Sequence, residues 1–189
     1  MAASVPRETV CVFGASWALP DSALYAEGVA LGAALASSGF DVVTGGYGGL
    51  MEAVSKGAAE AGGAAIGVLV PSLFPQRAVD GNPYLTARVD APTLLTRIDA
   101  MLARAPRLLV ALPGTLGTLT ELMAAWNVAL LAPVGGYEPA TLVAWRKPWE
   151  GIVGNVCSEL RLTEQQRGLI VFVDGVAGCL EALKSRAAK

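Results

Sequence analysis

The stretch from Pro113 to Glu121, P-G-T-L-G-T-L-T-E, follows the apolar run R-L-L-V and joins two glycines, three threonines and one carboxylate. A glycine-rich turn that runs into a helix exposes backbone N–H groups beside the positive end of the helix dipole. It can hold a phosphate without a lysine. Gly114 and Gly117 would allow close approach of the backbone to a ligand, and Thr115 and Thr118 would add hydroxyl donors. Glu121 reads as sitting on the first turn of an otherwise apolar helix, where an unpaired carboxylate is costly to bury. It is either a charge favoured by the helix dipole or a group aimed at a substrate. Arg97, near the start of the preceding helix, is its natural partner. Arg104 and Arg107 lie farther from that edge, and Asp99, two residues from Arg97, points elsewhere on the helix.

A second glycine-rich stretch, T-G-G-Y-G-G-L-M (44–51), supplies Gly45, Gly46, Gly48 and Gly49. It is not G-x-G-x-x-G, because Met51 stands where the last glycine belongs, and no G-x-x-x-x-G-K-[ST] occurs in the chain. An ordinary dinucleotide dehydrogenase or P-loop NTPase is thereby disfavoured. The chain has no histidine, which removes Ser-His-Asp and Cys-His nucleophile systems and the usual zinc sites. Cys11, Cys157 and Cys179 lack metal-ligand spacing and read as buried small hydrophobes in a reducing, cytoplasmic setting. No metal and no resident cofactor are expected.

These residues have to be positioned by an alternation of apolar, β-branched runs and helical stretches. The runs at 9–14, 41–44, 64–70, 86–90, 107–112, 141–145 and 169–173 predict strands. The intervals at 21–38, 49–62, 93–105, 117–131, 149–160 and 175–187 predict helices. Continuous rather than alternating apolar strands imply a sheet covered on both faces. Their order with the helices gives a parallel, doubly wound α/β fold in a single domain over 1–189. Every strand-to-helix loop then emerges at one edge, which collects 14–20, 44–51, 90–97 and 113–121 in one cleft. Asp21 reads as an N-cap and Gly39 as the residue just past that helix. The stretch 71–84 is the best candidate for a flap, and 132–139 for a second exposed connection.

At 189 residues, 53% hydrophobic and with a net charge of −2, the chain suits a single soluble domain. It carries no basic stripe for nucleic acid and no apolar run long enough for a membrane span. The first residues predict no signal peptide. The helix at 117–131 is apolar nearly all round, through Leu119, Leu122, Met123, Ala125, Trp126, Val128, Leu130 and Leu131. That pattern predicts burial on both sides, one against the sheet and one against a second subunit in a homodimer.

The order V-C-V-F-G-A-S, G-F-D-V-V-T-G-G-Y-G-G-L-M-E-A-V-S-K-G-A, T-R-I-D-A-M and A-L-P-G-T-L-G-T-L-T-E-L-M-A-A-W resembles the LOG family, cytokinin-activating nucleoside 5′-monophosphate phosphoribohydrolases once called lysine decarboxylases. The resemblance covers residues 9–131 well. It implies a Rossmann-like fold, Glu121 and Arg97 as catalytic residues, a phosphate loop at Gly114, Gly117 and Thr118, a second loop at Gly45, Gly46 and Gly49, and Ser16 after the first strand. The implied reaction is hydrolysis of the N-glycosidic bond of a purine nucleoside 5′-monophosphate, with N6-modified adenine as one base, to free base and ribose 5-phosphate. Trp17 or Tyr47 could stack on the base. Glu52 lies just inside the second glycine loop's helix, with nothing in the sequence to aim it at a substrate. Two positions depart from the family's P-G-G-x-G-T-x-x-E and its Arg-Lys pair: Thr115 replaces a glycine and Ile98 replaces the lysine. Both also fit a related branch that includes molybdenum cofactor carriers, which bind a ligand without hydrolysing it.

Overall fold

The computed structural model describes residues 7–74 and 80–187. Its strands are β1 (Glu8–Phe13), β2 (Phe40–Thr44), β3 (Ala65–Leu69), β4 (Ala87–Asp90), β5 (Leu108–Ala111), β6 (Thr141–Trp145) and β7 (Ile170–Val173). They form one parallel sheet in the order β4-β3-β2-β1-β5-β6-β7. The helices are α1 (Ala23–Ser37), α2 (Leu50–Glu60), α3 (Leu94–Arg104), α4 (Leu116–Leu131), α5 (Arg146–Glu159), α6 (Glu164–Arg167) and α7 (Val176–Ala187). The central strands are buried almost without interruption, as continuous apolar runs require in a sheet covered on both faces. The chain order reverses between β1 and β5, and at such a switch point the flanking loops diverge to leave a crevice.

Packing between α1 and α2 is unusually close. A Cβ on Gly32 would overlap the Val54 carbonyl, and one on Gly57 would overlap the Val29 carbonyl, so the two helices meet backbone against backbone. The C-terminal third completes the sheet with β6 and β7. It also reaches back into the first two-thirds: Trp126 Nε1 donates to the Gln166 carbonyl at 2.9 Å and Trp149 Nε1 to the Leu112 carbonyl at 3.0 Å.

Local chemistry corrects several expectations. The N-cap of α1 is Ser22, whose Oγ accepts from the Tyr25 N–H at 3.2 Å, and Asp21 lies one residue outside. Gly39, with φ of +89°, follows the helix in the left-handed region. The short α6 and a 3₁₀ turn at Ala132–Gly135 are additions, since four residues are too few to show a periodicity. The capping box from Thr163 to Gln166 was the available signal for α6. Of the expected flap, residues 75–79 lie outside the described residues. Helix α4 is covered on one face only, because Val128 and Leu131 are more than half exposed. No helix among the described residues is long and apolar enough to cross a membrane.

Candidate functional site

The two glycine-rich stretches meet through one residue of the loop after β1. Ala15 donates its N–H to the Pro113 carbonyl at 3.0 Å, and its own carbonyl accepts from the Leu50 N–H at 2.8 Å. Gly49 makes the second contact possible. Its φ is +71°, and a Cβ there would strike the Ala15 carbonyl and the Ser16 backbone. The loops after β1, β2 and β5 are thus locked together at the switch point.

A cleft of about 250 Å³ opens there, between α3 and α4. Among the residues named from sequence, Ser16, Gly45, Arg97, Thr115, Gly117, Thr118 and Glu121 all line it. Four glycines do not. Gly114 packs under the Thr118 side chain, Gly46 against Gly67 and Leu69 with φ of +75°, and Gly49 on Ala15. Their missing side chains make room for protein neighbours instead of for a ligand. Gly48 lines an adjoining hollow.

At the floor of the cleft, Arg97 Nη1 donates to Glu121 Oε1 at 3.1 Å, both side chains being more than nine-tenths buried. Arg97 is held from two further sides. Its Nε donates to the Val68 carbonyl at 2.8 Å, and its Nη2 lies 3.7 Å from Met51 Sδ. A Cβ on Gly45 would occupy the space of its guanidinium. These constraints fix the arginine as a support for the glutamate, and the Val68 carbonyl, being backbone, was invisible to sequence reasoning.

Glu121 lies on the second turn of α4, because the helix begins at Leu116. A dipole-favoured charge of the first turn is therefore the wrong account of it. Its second oxygen, Oε2, takes no hydrogen bond from the described residues, yet no buried side-chain oxygen is left unsatisfied. That oxygen is accessible from the cleft. Burial raises the carboxyl to about 7, against a smaller lowering by the Arg97 charge and hydrogen bond. The group can thus exchange a proton near neutrality.

The mouth of the cleft is the amino end of α4. Thr115 is its N-cap but makes no side-chain capping bond, which leaves the N–H groups of the first turn for an incoming acceptor. Thr115 itself adopts extended backbone with φ of −114°, so its replacement of the family's glycine leaves the loop unstrained. Ile98, in place of the family's lysine, is buried in the cleft wall. Among the described residues that line the cleft, Arg97 is the one cation.

Other expected participants lie elsewhere. Tyr47 is buried, its hydroxyl accepts from the Val70 N–H at 2.9 Å, its ring centre lies 5.9 Å from the Arg97 guanidinium carbon, and it forms part of the wall of the adjoining hollow instead of the cleft. Trp17 is 56% exposed and outside the cleft lining. Arg104 is turned to the Ala100 carbonyl of its own helix, and Arg107 pairs at 3.9 Å with Glu8 at the start of β1, the opposite edge of the sheet. The three cysteines are buried and unpaired.

The chain has known relatives in sequence and fold. Residues 7–141 match the model of the SLOG cluster4 family. The cytokinin riboside 5′-monophosphate phosphoribohydrolase LOG of Oryza sativa subsp. japonica is 32% identical over 167 residues, covering 86% of this chain. The chain spans 66% of the length of that relative. Among solved structures, TM1055 superposes with a TM-score of 0.73 at 25% identity, covering 94% of this chain and 99% of the other. A Moco carrier protein from Chlamydomonas rheinhardtii gives 0.67 at 26%, over 98% and 100% of the two chains. The molybdenum cofactor binding protein of Rippkaea orientalis gives 0.68 at 22%, over 97% and 99%, a likeness of fold. Because the matched segment takes in the locked loops together with Arg97 and Glu121, the chain belongs to the SLOG cluster4 family.

Proposed function

We propose that the cleft hydrolyses the N-glycosidic bond of a purine nucleoside 5′-monophosphate, releasing free base and ribose 5-phosphate. The observation that carries this reading is Glu121, with one oxygen held by Arg97 and the other open to a cleft at the amino end of α4. The free N–H groups of Leu116 to Thr118, with the Thr118 hydroxyl, hold the 5′-phosphate; the helix dipole supplies what a second cation would otherwise supply. Glu121 as carboxylate orients the ribose hydroxyls or the attacking water and stabilises the positive charge that grows on the sugar as the base departs. Arg97 keeps that carboxylate in register. One protein carboxylate suffices here because water supplies both the hydroxyl that adds to the sugar and the proton that the purine carries away on its ring, and a purine so protonated is a good leaving group, unlike the alcohols released by two-carboxylate glycosidases.

The protein acts on a small-molecule nucleotide, without nucleic acid, membrane or resident cofactor, as a cytoplasmic homodimer joined through the exposed face of α4. The test is chromatography of AMP and N6-isopentenyl-AMP after incubation with the protein and with Glu121→Gln. Base and ribose 5-phosphate should appear with the first and be lost with the second. Intact nucleotide in every sample would sink the hydrolase.

A second reading has its own observation. The single cation among the described residues of the cleft and the Thr115 side chain at its mouth suit retention of an intact phosphorylated ligand, as in a carrier of nucleotide or molybdenum cofactor. Likeness to Moco carrier proteins over nearly the whole chain supports it. Tight binding of an unaltered ligand, with no base released, would select this reading.

A further inference from the structure

A second hollow, of about 370 Å³, adjoins the cleft and shares Ser16 with it; Tyr47, Gly48, Glu52, Gly81, Asn82 and Pro83 form the rest of its wall. Most of the polar groups here are engaged within the protein. Asn82 donates Nδ2 to the Tyr47 carbonyl at 3.2 Å, accepts from the Tyr84 N–H at 3.2 Å, and gives its N–H to the Gly46 carbonyl at 2.8 Å. The Tyr47 hydroxyl is engaged with Val70. Glu52 differs. Its Oε1 accepts from the Tyr25 hydroxyl at 2.9 Å, and its Oε2 has no donor among the described residues. The nearest atom to a Cβ built on Gly48 is that Oε2, 3.9 Å away, so the absence of a side chain at position 48 keeps the approach to the carboxylate open. Tyr25 is a dependable support, since burial and the Glu52 carboxylate both raise its phenol above the ordinary value and keep its proton in place.

We infer that Glu52 determines specificity at this site: resting on the nucleotide reading above, its free oxygen accepts a hydrogen bond from an N–H on the purine edge, so that bases retaining an exocyclic N–H are selected. The assignment of ends follows from charge and position. A carboxylate repels the phosphate, which goes to the amino end of α4. The ribose falls beside Glu121. What remains to cross Ser16 into the hollow is the base. A single unengaged oxygen matches a single donor, so an amine carrying one substituent is accepted, whereas one carrying two is refused.

The test compares AMP, N6,N6-dimethyl-AMP and purine riboside 5′-monophosphate, with ribose 5-phosphate as the base-free control, on the wild-type protein, Glu52→Ala and Tyr25→Phe. Affinity is read as Kd where the nucleotide stays intact, and as the split between KM and kcat where it is turned over. Loss of a hydrogen bond to a charged acceptor predicts that wild type prefers AMP over both analogues by about 10- to 100-fold. Glu52→Ala should bring the three nucleotides to within a few-fold of one another while ribose 5-phosphate binding is unchanged. Tyr25→Phe, which leaves the carboxylate but loosens it, should lower the preference several-fold. A preference that persists in both variants overturns the role of Glu52 and leaves the nucleotide reading standing. Failure of every nucleotide to bind wild type overturns both.

Discussion

Gly45 and Arg97 are coupled through space: the guanidinium lies where a side chain on residue 45 would begin. Gly45→Ala must therefore displace the arginine from Glu121 and from the Val68 carbonyl together. Breaking a buried ion pair by moving one partner costs about 3–5 kcal/mol, and Glu121 would recover part of this by taking up a proton. We expect Gly45→Ala to lower the urea midpoint substantially and to abolish base release. An unchanged midpoint together with unchanged turnover would show that Arg97 does not depend on this glycine.

Activity and stability should respond to pH in opposite directions. The Glu121 carboxyl is raised in the folded protein to about 7 from an ordinary 4.5, so the native state holds its proton more tightly than the unfolded chain does. The stability this contributes is complete below about 4.5 and is lost as pH rises through about 7. The carboxylate is the form that stabilises a developing cation, so kcat/KM should rise over the same interval. Urea midpoints and rates measured from pH 5 to 8 would reveal both limbs, and Glu121→Gln should remove this component of the stability slope. Arg97→Met removes the one influence that lowers the group. Its carboxyl resonance should then titrate above that of wild type; a shift to lower pH would contradict the assigned cause.

Trp149 makes the loop proposed to hold the phosphate depend on the C-terminal third. Its side chain is 1% exposed, and its Nε1 holds the Leu112 carbonyl, two residues before Gly114. Trp149→Phe keeps an aromatic ring in the core but leaves that buried carbonyl without its donor, a loss of about 1–3 kcal/mol. Because Leu112 leads directly into the loop, KM for the nucleotide should rise more than kcat falls. Equal losses in both, or none in either, would separate the loop from this helix.

Six of the seven strands and the shared loop edge were legible because a two-sided parallel sheet demands continuous apolar runs; the seventh, β4, is an exposed edge strand of sequence A-R-V-D. The pairing of Arg97 with Glu121 was legible too, since a carboxylate in an apolar helix requires a cation from a neighbouring loop edge. What composition could not separate was a glycine that faces a ligand from one that faces protein. Gly46, Gly49 and Gly114 belong to the second kind, and only their neighbours in space reveal it. The support of Glu52 by Tyr25 and that of the Leu112 carbonyl by Trp149 join residues 27 and 37 positions apart. No local pattern encodes such contacts. Asp21 and Ser22 are both good N-caps, and one residue's difference in where the helix begins decided between them.

The exposed face of α4 yields the last prediction. Val128 and Leu131 are 57% and 55% exposed, and Val134 and Tyr137 beyond them are 85% and 75% exposed. Val128 and Leu131 stand three positions apart and so share one side of the helix. Sequential large apolar groups left in water at the end of a helix whose opposite face is core favour burial against a like surface. A twofold pairing of α4 with its copy is the simplest closed arrangement that achieves it. Sedimentation equilibrium of wild type should therefore give twice the 19.3 kDa chain mass, and Val128→Glu combined with Leu131→Glu should return it to the monomer. The carboxylates would sit on solvent-facing positions of each chain, so the monomer should retain its fold by circular dichroism. A wild-type protein that sediments as a monomer at tens of micromolar would exclude this pairing and leave the apolar face without a role in self-association.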